Sequence, residues 1–224
     1  MENLEIRNNV LRKCLDRNIT EIIIPNDVTA IDSLAFYKCD KLKSIIIPDN
    51  ITFIGNAAFE QCTGLENVYI SDNVTEMLDG IFHSCVNLRT IKLPSYLTRI
   101  SDYSFCNCKS LQMIRIPNRV EDIGNSAFSN CSSLVTINLP NTLKRIGDWS
   151  FLNCTKLKNI KLNEGLNYIG SSTFKNCESL ENIKIPDSLE TINYCAFYEC
   201  KNLKDFKLNT FLEYKVRIDD VFSN

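Results

Sequence analysis

An elongated solenoid of stacked α/β repeats is the fold class this sequence predicts, and three observations predict it. A phenylalanine recurs every 23 residues, at Phe36, Phe59, Phe82, Phe105, Phe128, Phe151, Phe174 and Phe197. A cysteine follows each one three residues later, at Cys39, Cys62, Cys85, Cys108, Cys131, Cys154, Cys177 and Cys200. A leucine follows three residues after that, from Leu42 and Leu65 to Leu180 and Leu203. No insertion or deletion breaks the beat. A strict period over most of the chain means one domain built of repeats rather than two globules.

Each unit reads as a strand, a corner and a return. In LKSIII, Leu42, Ile45 and Ile47 point inward while Ser44 and Ile46 alternate outward, the period-two signature of a short strand. Pro48 ends that strand, as Pro94, Pro117, Pro140 and Pro186 end theirs, because proline has no N–H to give a ladder. Inward Ile51 and Ile54 come next, then the turn residue Gly55. The following column is Ser33, Asn56, Asp79, Asp102, Asn125, Asp148 and Ser171, side chains whose oxygens accept orphan backbone N–H groups at helix starts. The reading is a short helical turn that carries the Phe on the outer side. Stacking puts like residues about 4.8 Å apart. The phenylalanines then form an aromatic ridge and the cysteines a ladder of small buried thiols with nearby carbonyls to donate to.

The ends depart from the repeat. Positions 23 before Phe36 and Cys39 hold Lys13 and Asp16, so residues 1–18 read as an N-terminal cap. Val10, Leu11, Cys14 and Leu15 are spaced as one apolar helical face over the first rung. The solenoid spans 19–212. Lys215 falls in a core column, which leaves 213–224 as a C-terminal cap or tail. Within it Tyr214, Val216 and Ile218 alternate with charged residues, the pattern of a final strand over an open edge.

Composition excludes several functions. Net charge is −2, with no general pull toward nucleic acid. No apolar run is long enough to span a bilayer, and the opening MENLEIRNNVLRKCLDR has no apolar segment of a secretory signal. The expectation is an intracellular protein, cytoplasmic or nuclear, with a surface location left open. Asn-x-Ser/Thr sequons at Asn18, Asn50, Asn73, Asn130 and Asn153 point weakly toward export.

The cysteines raise the question of metal and disulfide. A metal site needs clustered ligands, whereas this chain has one Cys per repeat and one histidine, so no metal and no cofactor is expected. Parallel Cβ vectors on neighbouring rungs stay farther apart than a disulfide needs, which favours reduced thiols. Cys14, Cys106 and Cys195 lie outside the ladder. Cys106 shares the column of Tyr37, Glu60, His83 and Lys175, which reads as solvent-facing, and is the expected accessible thiol. His83 has no base or nucleophile beside it in the pattern, and no catalytic set is recognisable. Trp149 and Tyr103 share another outer column and form a candidate aromatic patch.

The unit LxxIxIPxxVxxIGxxAFxxC resembles the 23-residue BspA-like class of leucine-rich repeats, from about Ile19 to Leu212. The resemblance implies a right-handed leucine-rich-repeat superhelix with a concave parallel β-sheet and short helical turns on the convex side. It also implies protein binding without catalysis, and the family includes bacterial surface proteins and proteins of protozoan parasites.

Function is therefore sought on the strand face. Its outward column runs Ile23, Ile46, Tyr69, Lys92, Arg115, Asn138, Lys161, Lys184 and Lys207, apolar at one end and basic at the other. Lys43, Arg89, Lys158 and Lys204 flank it. Like charges at rung spacing repel and add nothing to the fold. The expected function is a non-enzymatic interaction module. Ile46 and Tyr69 would anchor a protein partner, and Lys92, Arg115, Lys161, Lys184 and Lys207 would meet its acidic segment. A cell-surface adhesin is the rival reading. A third starts from Lys215, Val216, Arg217 and Ile218, which resemble the basic-Val-x-aromatic motif that docks on type-1 protein phosphatase, with Ile218 where that motif has Phe or Trp.

Overall fold

The computed structural model describes residues 3–213 and 215–223. Its strands, in chain order, are β1 (Leu4–Arg7), β2 (Val10–Cys14), β3 (Ala30–Ile31), β4 (Ser44–Ile47), β5 (Phe53–Ile54), β6 (Asn67–Ile70), β7 (Glu76–Met77), β8 (Thr90–Lys92), β9 (Arg99–Ile100), β10 (Met113–Arg115), β11 (Asp122–Ile123), β12 (Thr136–Asn138), β13 (Arg145–Ile146), β14 (Tyr168–Ile169) and β15 (Thr191–Ile192). Two helices, α1 (Thr210–Glu213) and α2 (Ile218–Phe222), close the chain. Residues 23 apart stand in parallel register, for example Ile46 beside Tyr69 and Ile123 beside Ile146. Each repeat is thus one coil of a parallel-strand solenoid.

Three walls enclose the core. The strand face carries β4, β6 and β8 in one ladder and β10 with β12 in another, continued by single bridges from Thr136 to Asn159 and on to Asn182. A second face carries the two-residue strands, in the orders β2-β3-β5-β7 and β9-β11-β13-β14-β15. The third wall holds the phenylalanines. All eight are fully buried, and neighbouring rings stack with centroids 4.9–5.6 Å apart.

The third wall is not helical, contrary to the sequence expectation. Its amides alternate in direction. Ala57, Phe59 and Gln61 donate N–H to Asp79, Ile81 and His83 of the next rung at 2.8–2.9 Å, while Glu60 and Cys62 bond back three residues, to Ala57 and Phe59. Sending every second N–H outward needs a left-handed residue at two places per rung. One such column is Leu34, Ala57, Gly80, Tyr103, Ser126, Trp149, Ser172 and Cys195, and the other runs from Lys38 and Gln61 to Asn176 and Glu199. Four consecutive members of the second column are asparagines, Asn107, Asn130, Asn153 and Asn176, the non-glycine type that tolerates this conformation well. Their amides also form a ladder, Asn153 Nδ2 donating to Asn130 Oδ1 (2.7 Å) and Asn176 Nδ2 to Asn153 Oδ1 (2.6 Å).

The column read as helix caps does accept orphan amides, but from the adjacent rung. Asn56 N–H donates to Ser33 Oγ, Asp79 N–H to Asn56 Oδ1, and the series continues to Ser171 N–H on Asp148 Oδ1 (2.7 Å). This close approach explains the preceding glycines. A Cβ on Gly124 would lie 2.3 Å from Asp102 Oδ1 and 2.7 Å from Asp102 N.

At Ser101 the stack opens, although Leu78 one rung before also lacks the glycine and keeps its N–H on Ile54 O at 3.1 Å. Gly55 N–H bonds Ile31 O (2.9 Å) and Gly124 N–H bonds Ile100 O (2.8 Å), whereas Ser101 turns its hydroxyl onto Met77 O (2.7 Å). Beside that hydroxyl the second face splits between β7 and β9, and the strand face splits between β8 and β10. Phe82 and Phe105, which straddle the split, show the widest ring spacing and tilt of the stacked column, 5.6 Å and 16°. The third wall runs through unbroken, with Phe82 N–H on Ser104 O at 2.9 Å. We call this break the seam. The sequence implied one continuous parallel sheet; the seam interrupts it.

Both caps differ from expectation. The N-terminal cap is a β-hairpin and not a helix: β1 pairs antiparallel with β2, and β2 pairs parallel with β3, so the first full rung meets a strand. At the other end the expected strand is replaced by α1 and α2; Tyr214 lies outside the described residues. Cys195 and Phe197 donate their N–H to Asp220 and Val221 of α2, and Phe206 and Phe222, edge-on to each other, lie tilted against Phe197 at the end of the aromatic stack. A helix gives the last rung the carbonyls that another rung would have supplied.

Two outcomes test this architecture. Phe128→Ala, at a central rung, should lower unfolding free energy by about 3–5 kcal/mol in denaturant melts; a loss under about 1 kcal/mol would contradict its burial. In native-state hydrogen exchange, the Thr98 and Ser101 amides at the seam should exchange faster than Glu121 and Gly124 one rung on, which bond Thr98 O and Ile100 O.

Candidate functional site

The cysteines were the first candidates for chemistry, and the structure gives them structural work. Each thiol from Cys62 to Cys200 donates to the carbonyl of the Phe 26 residues before it, at 3.0 Å for Cys62 to Phe36 O and 3.2 Å for Cys131 to Phe105 O. Cys14, placed outside the ladder by sequence, is buried beside the Cys39 thiol, with its own thiol donating to Asp16 O at 3.1 Å. It occupies the cap's version of the same column. Burial holds the Cys85, Cys108, Cys131, Cys154 and Cys177 thiols well above the usual value of 9.0. For Cys39 the neighbouring Cys14 thiol pulls downward, but Cys62 and burial outweigh it and leave the group at about 12. Cys106 does not face solvent as expected. It is 8% exposed, and burial pushes its thiol up. Cys195 is more exposed, with its thiol on Ser223 O (2.8 Å).

His83 sits half-buried with Nδ1 3.2 Å from Glu60 Oε1 and Nε2 3.4 Å from Asn107 Nδ2. That is a contact between rungs. Tyr103 and Trp149 are about half exposed, both in the left-handed column. Among the described residues no group of three or more His, Cys, Asp and Glu side chains is placed to hold a metal ion. No helix among them is long and apolar enough to cross a membrane.

The strand face remains. Ladder register puts Ile46, Tyr69 and Lys92 side by side on β4, β6 and β8, and Arg115 beside Asn138 on β10 and β12. Alternate residues Ile45, Ile47, Val68 and Ile70 go into the core, so the pleat turns the named column outward. Ile23 is 90% exposed and Ile46 67% exposed, and Tyr69 is half-exposed. Lys161, Lys184 and Lys207 are exposed further along. Lys92 differs from the others. Its Nζ bonds Asp72 Oδ1 (2.7 Å) and lies 5.0 Å from the Tyr69 ring centre. Lys92 and the Ser95 N–H and hydroxyl together hold the Asp72 carboxyl at about 2. Lys184 has a looser partner in Glu164, at 3.5 Å. Two flanking lysines are paired as well, Lys43 with Glu66 and Lys158 with Glu181.

Two clefts indent this face at equivalent places. One lies between Ile22–Ile24 and β4, lined by Ile23, Ile46 and Pro48. The other lies at the seam, lined by Lys92, Tyr96, Arg115 and Arg119. Sequence reasoning found Ile46 and Arg115 but missed Tyr96 and Arg119. These sit beyond the strand's end, outside the alternating pattern from which the outward column was read.

The tail residues Lys215, Val216 and Ile218 line a shallow depression with Phe206 and Leu208. Val216 packs against the core, Lys215 lies over the Phe211 ring (3.9 Å) and Ile218 begins α2.

A family profile described as BspA type leucine rich repeat region matches residues 4–135 and 121–218, in six copies. The chain belongs to the BspA-type leucine-rich-repeat family. Among solved structures it is similar to a leucine rich repeat protein of T. pallidum, at 23% identity and a TM-score of 0.66, over 91% of this chain and 89% of that one. That likeness shows the fold. A leucine-rich repeat protein from Bacteroides ovatus matches at 27% identity and TM-score 0.44, over 92% and 71% of the two chains. A leucine rich cell surface protein from Faecalibacterium prausnitzii matches at 24% and 0.42, over 92% and 80%. Comparison with curated proteins finds no match. Leucine-rich-repeat families are generally non-enzymatic, and membership in this one points to protein interaction or surface adhesion.

The thiols give a signed pH prediction. A thiol raised in the fold binds its proton more tightly folded than unfolded, so its stabilisation is complete below the unfolded value of 9.0 and is lost as pH climbs past it. Melting temperature should therefore fall from pH 8.5 to 10.5, and fall less in Cys131→Ala/Cys154→Ala than in wild type. Under a thiol alkylator at pH 7.5, mass mapping should find Cys195 modified before Cys106 and before any ladder cysteine.

Proposed function

We propose that this chain is a non-enzymatic interaction module that holds a protein partner's acidic segment along its strand face. One observation carries the reading: the outward column of this face gathers one sign of charge, while the facing column of the next face alternates. On the second face Arg99 Nε meets Asp122 Oδ2 (3.0 Å), Arg145 Nη1 meets Asp122 Oδ1 (3.2 Å) and Lys144 meets Glu121 (2.7 Å). Cross-strand pairs of opposite sign support a ladder. The outward column of the strand face places Lys161, Lys184 and Lys207 on successive rungs instead, with Arg115 two rungs before. Such a column favours an external anion, and the apolar Ile23, Ile46 and Tyr69 beside it supply the desolvated contact that charge alone does not.

Surface adhesion is the second reading, supported by the family. It uses the same face in another compartment, and surface labelling of intact cells separates the two. Docking on type-1 protein phosphatase has less support, because it requires Val216 to leave the core and α2 to unwind.

A fluorescent twelve-residue peptide rich in glutamate with two leucines serves as the probe. It should bind wild type with an affinity that falls as salt rises, and Lys161→Glu/Lys184→Glu should weaken binding and flatten that salt slope. Unchanged affinity and slope in the variant would place the binding surface elsewhere.

A further inference from the structure

We propose that the seam cleft is a carboxylate anchor. An extended partner segment would seat an acidic side chain on Arg115 and Arg119, and an aliphatic side chain four residues away in the cleft at Ile23 and Ile46. This deepens the reading of the strand face and rests on it.

The two clefts are the same place in the repeat. Ile23 and Ile46 become Lys92 and Arg115 when each number is raised by three periods of 23. Both clefts occur where the strand ladder is interrupted. Residues Ile22–Ile24 have no ladder to β4, and β8 has none to β10, while β4, β6 and β8 between them are closed by pairing. The openings therefore belong to the backbone and do not depend on side-chain rotamers.

Their chemistry differs. The first is walled by isoleucines and Pro48. In the second, Lys92 is already neutralised by Asp72 at 2.7 Å. Arg115 and Arg119 have no ion-pair partner among the described residues. The Arg119 guanidinium carbon lies over the Tyr96 ring, 4.8 Å from its centre. The ring holds the guanidinium at the cleft, and with no carboxylate paired to it the planar fork is available to receive one with two parallel hydrogen bonds. A lysine in that place would offer only a mobile point charge.

Geometry sets the spacing. Three rungs at about 4.8 Å place the clefts about 14 Å apart. An extended chain advances about 3.4 Å per residue, so about four residues bridge them. Four is even, and side chains alternate sides in an extended segment, so positions i and i+4 both face the protein. A helical segment would need about nine residues for the same span. The partner motif is therefore an aliphatic and an acidic residue four apart, in either order.

The experiment is selection of a random twelve-residue peptide library on the full chain, followed by anisotropy titration of the enriched peptides. Enrichment of aliphatic–acidic pairs at spacing four is expected. Replacing the acidic residue by its amide should cost about tenfold in affinity, and Arg115→Gln/Arg119→Gln should cost a similar factor for the acidic peptide and almost nothing for the amide form. Melting curves of the double variant confirm that it folds, and Arg115→Lys/Arg119→Lys, which keeps the charge, should recover only part of the loss. Enriched peptides without that spacing overturn the proposal. So do peptides indifferent to the arginine change but weakened by Lys161→Glu/Lys184→Glu, which leave the strand-face reading standing. Peptides indifferent to both variants, or no enrichment at all, overturn both.

Discussion

Every rung of this protein depends on the outward-turned amides of its phenylalanine wall. An N–H at Ala57, Phe59 or Gln61 has no partner within its own coil and is satisfied by the next one. A buried amide left unpaired costs about 1–3 kcal/mol, so three per rung make the register expensive to violate. An added residue would move all three donors off their acceptors together. That is the physical reason for the unvarying period of 23. It also explains why the thiol column, the asparagine column and the Asp/Asn/Ser column all bond to a neighbouring rung.

Most of that plan was legible. Phe36 to Phe197 and Cys39 to Cys200 announced the stack, because a buried side chain in a parallel coil always meets its own kind. The turn between them was not legible as it stands. Asp148 or Asn125 before a Phe reads as a helix cap when the only available donor is taken to be its own segment. The structure supplies a donor 23 residues away, which local pattern cannot reveal. Cys106 failed for a related reason. Its column holds Glu60 and Lys175, yet its own small side chain folds back toward Ser129.

The ends and the binding face show the opposite limit. Val10, Leu11 and Cys14 suit a helix face, but the amides of the first full rung ask for a strand, and β2 provides one. At the far end α2 does the equivalent work with carbonyls. On the strand face the outward column was visible from alternation alone, and its charges could be counted. What could not be read was which charges are spent. Asp72 takes Lys92 out of the set, and Tyr96 brings Arg119 in, through contacts made beyond the strand's end.

The seam gives the molecule a mechanical character. Both strand-bearing walls are open there, while the phenylalanine wall keeps its bonds, so the break works like a book with an intact spine. Tension along the axis would load the spine and leave the two covers free to part. Compliance is then concentrated at one rung and in one direction, at Ser101, whose hydroxyl takes the Met77 carbonyl where Leu78 and Gly124 on either side use a backbone amide.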